Sequence, residues 1–317
     1  MKPKLGILLP TRGLLMATEN LQNIETILEM AEISEQAELD SVWVGDSLTA
    51  KPRLEPLSTL SAIASRTQRV RLGTAVLLAG LRHPVGLAQT VGTLDLISSG
   101  RMILGMGVGG AFTPNQQQEW RNAGVEPAAR ASRFEEVVDI TKRLIRGERT
   151  THQGRHFNID SVKIEPRSTQ PNGIPMLIAC HWHTGKEAQF QRAARLGDGF
   201  MSITDSPDEY ARVVGKVLGY AEEYGRDTSQ IEQAFYMTVN LGENERKANE
   251  EADRFLHQYY GMNFWGDRWG PYGSPGRVAE KICRYVEAGA GTIIVRFASF
   301  DQRAQLETFL SQVVPTF

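Results

Sequence analysis

The chain has 317 residues, 41% of them hydrophobic and 23% charged, with a formal net charge of -2. That is the mix of an ordinary globular protein, and without a basic run or arginine cluster it gives no reason to expect nucleic acid or an acidic membrane as partner. Cys180 and Cys283 stand far apart with no C-x-x-C spacing, which argues against a disulfide framework or a structural zinc site and fits a reducing cytoplasmic location. The apolar run Leu5–Leu9 is too short for a signal-peptide core, and no segment approaches the roughly 20 apolar residues of a membrane span.

Strand and helix patterns alternate along the whole chain. Leu5–Leu9 ends at Pro10 and reads as a buried strand; Leu21–Glu38 has helical spacing through Leu21, Ile24, Ile27, Leu28 and Ala31. Ser41–Val44 is the second strand, Leu57–Ser65 a helix and Val70–Leu78 the third strand. His83–Pro84 opens a helix to about Ile97, since a proline in the first turn costs little. Met102–Met106 is strand four, followed by a long polar stretch, 111–131, and a helix over Phe134–Ile145. Thr151–Ile164 turns about Gly154 and predicts a small hairpin. Strand five (Pro175–Ala179), a helix (Gly185–Arg195), strand six (Gly199–Ile203) and a helix (Pro207–Tyr224) come next. Strand seven (Ala234–Leu241), helices over Arg246–Tyr259 and Arg277–Ala288, strand eight (Thr292–Phe297) and a last helix (Gln302–Val313) complete the chain.

The strands are near-continuous Val/Ile/Leu/Met runs, as expected when both faces are buried. Eight such units without a dividing linker favour one α/β domain over 1–317, a (β/α)8 TIM barrel of about 250 residues plus insertions, over an open doubly wound sheet. The segments 111–131, 151–165 and 259–275 are the expected insertions.

A barrel of this kind keeps its active site at the C-terminal strand ends. That rule nominates Arg12, Asp46, Ala75 and Val76, the glycines after strand four, Cys180–His183 and Phe297. Gly105–Gly110 contains a G-x-G-x-x-G, but it follows the fourth strand, and Thr113–Pro114 with the Gln run argues against an immediate helix; the dinucleotide reading is weak. Glycines there can still cradle an anion, or form a plain turn. His181 and His183, two apart in an extended segment, face one side while Trp182 faces away. They read as acid/base or phosphate-contacting groups, as a metal pair, or as caps for the next helix. Asp46 suits a polar ring edge or a turn cap, and His83, His152 and His156 read as structural. The aromatic, glycine-rich 259–272 segment reads as a lid or as a subunit interface. With the strand-end rule it nominates Arg12, Trp265, Trp269, Tyr272 and Phe297 for a substrate pocket.

The order of motifs resembles the bacterial luciferase-like monooxygenase superfamily of FMN- or coenzyme F-420-dependent oxidoreductases. The resemblance rests on Ala37–Asp46, Arg71–Val76, Arg82-His83-Pro84, Leu94–Arg101, Leu104–Gly109, Ala193–Phe200 and Gly289-Ala290-Gly291, in order along the chain. It implies reduced FMN or coenzyme F-420 at the barrel mouth, and a non-proline cis peptide behind the ring near Ala75–Val76. It implies Asp46 at the ring edge, Val108, Gly109 and Gly110 on the phosphate chain, and Ala179, Cys180 and His181 as a second phosphate-side loop. Two departures stand out: Gly110 and Ala111 occupy the place of a glutamate in deazaflavin sugar-phosphate dehydrogenases, and Cys180-His181 replaces a usual Gly-Gly pair. The leading expectation is a monooxygenase using reduced FMN and O2 on a small organic substrate, served by a separate flavin reductase, with His181 or His183 moving protons and no metal. The close alternative transfers hydride with coenzyme F-420 and no O2. A non-catalytic flavin-binding protein and a metal-dependent hydrolase using His181, His183 and Asp46 are the other classes. A homodimer through the first barrel helices is implied by analogy.

Overall fold

The computed structural model describes residues 2–17, 24–165, 167–263 and 266–317. Eight parallel strands, β1 (Lys4–Leu8), β2 (Ser41–Val44), β3 (Arg71–Leu77), β4 (Met102–Met106), β5 (Met176–Ala179), β6 (Gly199–Ile203), β7 (Glu232–Leu241) and β8 (Thr292–Phe297), pair in chain order. β8 pairs back onto β1, with Leu5 opposite Ile293 and Ile7 opposite Val295, so the sheet has no free edge and is a (β/α)8 barrel rather than an open sheet. Helices follow every strand. Five of them open on a capping position followed by proline: Glu55-Pro56, His83-Pro84, Thr113-Pro114, Ser206-Pro207 and Ser274-Pro275. His83 serves its helix start as expected, its Nδ1 accepting from the Val85 N–H at 3.3 Å.

Residue alternation sorts each strand between two cores. On β8, Ile293, Val295 and Phe297 face the helix shell, while Ile294 faces the barrel interior with Leu8, Trp43, Ile103, Leu177, Met201, Ala234 and Tyr236. Trp43 fills the middle of that interior, its Nε1 donating to Ser41 Oγ at 2.8 Å. It fits because the facing position on β3 is Gly73, where a Cβ would overlap the indole. Near its end β3 breaks the alternation. Its pairing with β4 slips between Thr74 and Leu77, the Ala75–Val76 peptide is cis, and both residues pack against the interior cluster.

Within the polar stretch 111–131, whose composition gave no helical signal, Pro114–Asn122 is an α-helix. Thr113 Oγ1 accepts from the Gln116 N–H at 3.3 Å while Gln116 Oε1 accepts from the Thr113 N–H at 3.1 Å, a reciprocal capping box. Its outer face is polar because it meets water; Glu119 and Trp120 are its buried side. The hairpin forms from Thr150–Gln153 and Asn158–Val162, and Glu136 anchors its turn by accepting from the N–H groups of Arg155, His156 and Phe157. A two-residue strand, Tyr272–Gly273, adds in parallel to the end of β7. No helix among the described residues is long and apolar enough to cross a membrane.

Candidate active site

At the C-terminal mouth of the barrel lies a cavity of roughly 310 Å³, at the low end of the roughly 300–1,000 Å³ usual for small-molecule sites. Its floor is the top of the barrel interior: Leu8, Ala75, Val76, Ile203 and Tyr236. A larger polar depression of about 670 Å³ lies around Leu96, Arg146 and Gln170, near the turn that precedes β4. No barrel strand delivers its C-terminal end there, so the mouth is the candidate site.

One wall is a chain of fixed carboxylates and glycines. Asp46, at the end of β2, is buried; its Oδ2 accepts from Arg82 Nη1 at 2.5 Å and from the Leu78 N–H at 2.9 Å, and its Oδ1 from Arg82 Nη2 at 3.2 Å. Arg82 also reaches Glu55 at 3.1 Å. Asp46 therefore ties β2 to the segment just past β3 and holds the Ala75–Val76 shelf in place. Beside it, Glu119 Oε1 accepts from Ser47 Oγ at 2.7 Å and from the N–H groups of Thr49 and Ala50 at 2.7 and 3.0 Å. No described residue donates to its other oxygen, Oε2. The loop after β4 completes this wall. Gly109 sits at φ +76°, and its carbonyl accepts from Arg130 Nε at 3.1 Å; the Gly110 carbonyl accepts from Trp120 Nε1 at 2.9 Å. The side of Gly110 where a Cβ would stand is filled by Phe112 and Gln116, so a larger residue there would have to displace them.

The rest of the lining is aromatic and cationic. Tyr259 and Tyr260, at the end of the helix Glu245–Tyr260, stand edge to face 4.7 Å apart and line the cavity with Lys51 and Arg53. Behind them Arg296, an inward position of β8, donates to Tyr260 OH at 2.5 Å and to Thr238 Oγ1 at 3.1 Å. Burial, then the neighbouring Arg53, pulls the Lys51 ammonium down to about 8.

Of the residues expected at the site, Asp46, Ala75, Val76, Gly109 and Gly110 meet around this cavity. Others do not line it. Cys180 packs into the shell core, and burial pushes its thiol up. The N–H groups of Cys180, His181 and Trp182 are occupied by Met201 O, Gln189 Oε1 and Asp205 Oδ2. Val108 packs against the shell core and Ala179 lies beside Gly107. Phe297 points outward by strand alternation and meets Phe309, 5.9 Å away. Arg12 donates to Tyr259 O and Pro52 O and backs the tyrosines. Trp269 stacks on Tyr260 from outside, and Tyr272 belongs to the added strand; Trp265 lies outside the described residues.

His181 and His183 do face one way, their rings stacked 4.1 Å apart, while Trp182 packs on Phe190. His181 holds the N-cap position of a short 3-10 helix, Trp182–Thr184, but makes no side-chain capping bond there, and the next α-helix starts only at Glu187. His183 Nδ1 lies 3.3 Å from Asp205 Oδ1, and Asp46 is held elsewhere by Arg82, so these three do not form one cluster. Among the described residues no group of three or more His, Cys, Asp or Glu is placed to hold a metal ion.

A barrel floored by a cis-peptide shelf, with a glycine loop beside it, is the arrangement that the motif order predicts for a luciferase-like oxidoreductase. The chain belongs to the luciferase-like monooxygenase family, whose model matches residues 3–269. It is 29% identical to an F420-dependent glucose-6-phosphate dehydrogenase of Kineococcus radiotolerans, over 90% of this chain and 92% of that one. In fold it superposes on an F420-dependent secondary alcohol dehydrogenase in complex with an F420-acetone adduct, at TM-score 0.80, 20% identity and 98% coverage of both chains. It superposes equally on a monooxygenase from Streptomyces bottropensis, at TM-score 0.80, 22% identity and 99% of both chains.

Burial, and then the stacked His183, lower His181 from 6.5 to about 4. The unfolded chain therefore takes up this proton first, so the contribution of His181 to stability is complete above pH 6.5 and is lost as pH falls toward about 4. The melting temperature of His181→Gln should fall less than that of the parent across that window, by thermal denaturation at matched ionic strength; parallel curves would show that the ring is not held neutral.

Proposed function

We propose that the protein is a coenzyme F-420-dependent dehydrogenase or reductase that moves hydride to or from a small organic substrate in the mouth cavity. The observation that carries this reading is the 29% identity, across nearly the full length of both chains, to an enzyme named for F420. It moves the preference from reduced FMN with O2, the leading expectation from sequence, to the deazaflavin alternative.

The residues present fit such a group. Ala75 and Val76 offer a flat apolar shelf to a ring system. The Gly109 and Gly110 N–H groups have no acceptor among the described residues, which leaves them to a phosphate chain. The bound coenzyme supplies the hydride acceptor or donor. The chain's task is the proton and the exclusion of water.

Asp46 is occupied by Arg82 and the Leu78 amide, so we assign it to bracing the shelf. Proton transfer falls to Glu119. Its Oε1 is fixed by three donors, which aims Oε2 into the cavity. As hydride leaves a substrate carbon, Oε2 takes the hydroxyl proton; in the reverse direction it returns that proton to the carbonyl oxygen. A glutamate is missing directly after the β4 glycines, and the capped helix Pro114–Asn122 brings one back to the same wall.

Anaerobic fluorescence titration should show saturable binding of F-420 in the micromolar range and at least tenfold weaker binding of FMN. The reverse preference, with O2 consumed in step with substrate, would restore the monooxygenase reading. Glu119→Gln keeps the acceptor that Ser47 and the two amides need. It should leave F-420 affinity unchanged and lower kcat by on the order of 10²–10⁴-fold, the usual worth of a positioned acid/base group. An unchanged kcat would remove Glu119 from the chemistry.

A further inference from the structure

The cationic wall of the cavity has no acidic partner. Arg296 is 2% exposed, on an inward position of a barrel strand. Its guanidinium lies 4.6 Å from the Trp269 ring centre, 5.2 Å from those of Tyr259 and Tyr260, and 5.5 Å from that of Tyr236. Its Nε and Nη1 are used by Thr238 and Tyr260; its Nη2 has no hydrogen-bond partner among the described residues. Three more cations stand against the same tyrosines. Lys51 Nζ lies 4.5 Å from the Tyr260 ring centre, and the Arg12 and Arg53 guanidinium carbons lie 5.1 and 5.9 Å from that of Tyr259.

Among the described residues none of these four cations has a carboxylate within ion-pair distance. Of the nearby acids, Asp46 and Glu55 pair with Arg82, and Glu119, held through Oε1 by Ser47 and two amides, forms no ion pair with any of the four. Aromatic faces attract cations but do not neutralise them. Buried charges are as a rule paired, and a cleft lined by one sign of charge concentrates ligands of the other. The missing counter-charge therefore belongs to something that enters the cavity.

We propose that the wall of Lys51, Arg53 and Tyr260, backed by the buried Arg296, is an oxyanion subsite, which selects substrates bearing a carboxylate or phosphate group and turns their reacting carbon toward the Ala75–Val76 shelf. This rests on the mouth cavity being the active site. Lys51 and Arg53 take the anion directly at the cavity edge. Arg296 supplies fixed positive potential from beneath, and Arg12, bonded to the carbonyls of Tyr259 and Pro52, holds the tyrosine pair in place. The tyrosine rings form the apolar side of the same subsite, so an oxyanion on a flat or apolar body fits best.

The test is calorimetric titration of the full chain, without coenzyme, with inorganic phosphate and with benzoate at constant ionic strength. It is repeated on Lys51→Met and Arg53→Met, whose side chains lie at the cavity edge and whose loss leaves the barrel interior intact. Saturable binding of at least one anion to the parent, weakened at least tenfold in both variants with F-420 affinity unchanged, is the expected result. Absence of saturable anion binding to the parent would overturn the proposal, as would binding indifferent to both substitutions. Loss of F-420 affinity in the variants, with phosphate competing against the coenzyme, would assign the wall to the coenzyme's own acidic tail and overturn the substrate reading. Failure of F-420 to bind the parent at all would count against the coenzyme assignment alone, because the anion titrations do not depend on it.

Discussion

A closed barrel of eight strands must fill its own interior from alternate residues, and the site follows from how this chain meets that requirement. Trp43 occupies the middle of the interior, and Gly73 makes room for it. Above that layer the inward positions carry small or slender side chains, Ala75, Val76 and Ile203, and the filling stops short of the mouth. The cavity is the unfilled top of a packed core. Its floor is rigid because each of its residues also belongs to that core.

Two kinds of electrostatic arrangement then divide the cavity. On the β2–β4 side every carboxylate is matched: Asp46 by Arg82 and an amide, Glu119 by a hydroxyl and two amides. Around the tyrosine pair, Lys51, Arg53 and Arg296 have no carboxylate partner and lie against the rings. A buried guanidinium without a carboxylate costs on the order of several kcal/mol in desolvation, and stability alone gives no reason to keep it. The proposed oxyanion subsite would give these unmatched cations their counter-charge.

Much of this was legible in the sequence. The barrel strands were readable because runs such as Met102–Met106 and Thr292–Phe297 are apolar on both faces, and the motif order placed the cis peptide at Ala75–Val76. The helix Pro114–Asn122 was missed because its composition is polar, although Thr113 and Gln116 spell a capping box. With it Glu119 was missed, the acid that compensates for the glycines after β4. Arg296 sat in plain view as a cation within an apolar strand, and period-two alternation from Ile294 points it inward; the same alternation carries Phe297 out of the pocket. The tyrosine pair and its cations were not legible, because Lys51 and Arg53 meet Tyr259 and Tyr260 only through the closure of the barrel, some two hundred residues apart in sequence.

The most direct test of the central claim is a crystal structure of the protein with coenzyme F-420 bound. The deazaflavin ring should lie against Ala75–Val76, the phosphate chain along Gly109–Gly110, and Glu119 and Lys51 should face the space above the ring. Coenzyme bound anywhere else, such as the polar depression around Gln170, or at the mouth with its ring turned away from that shelf, would contradict it.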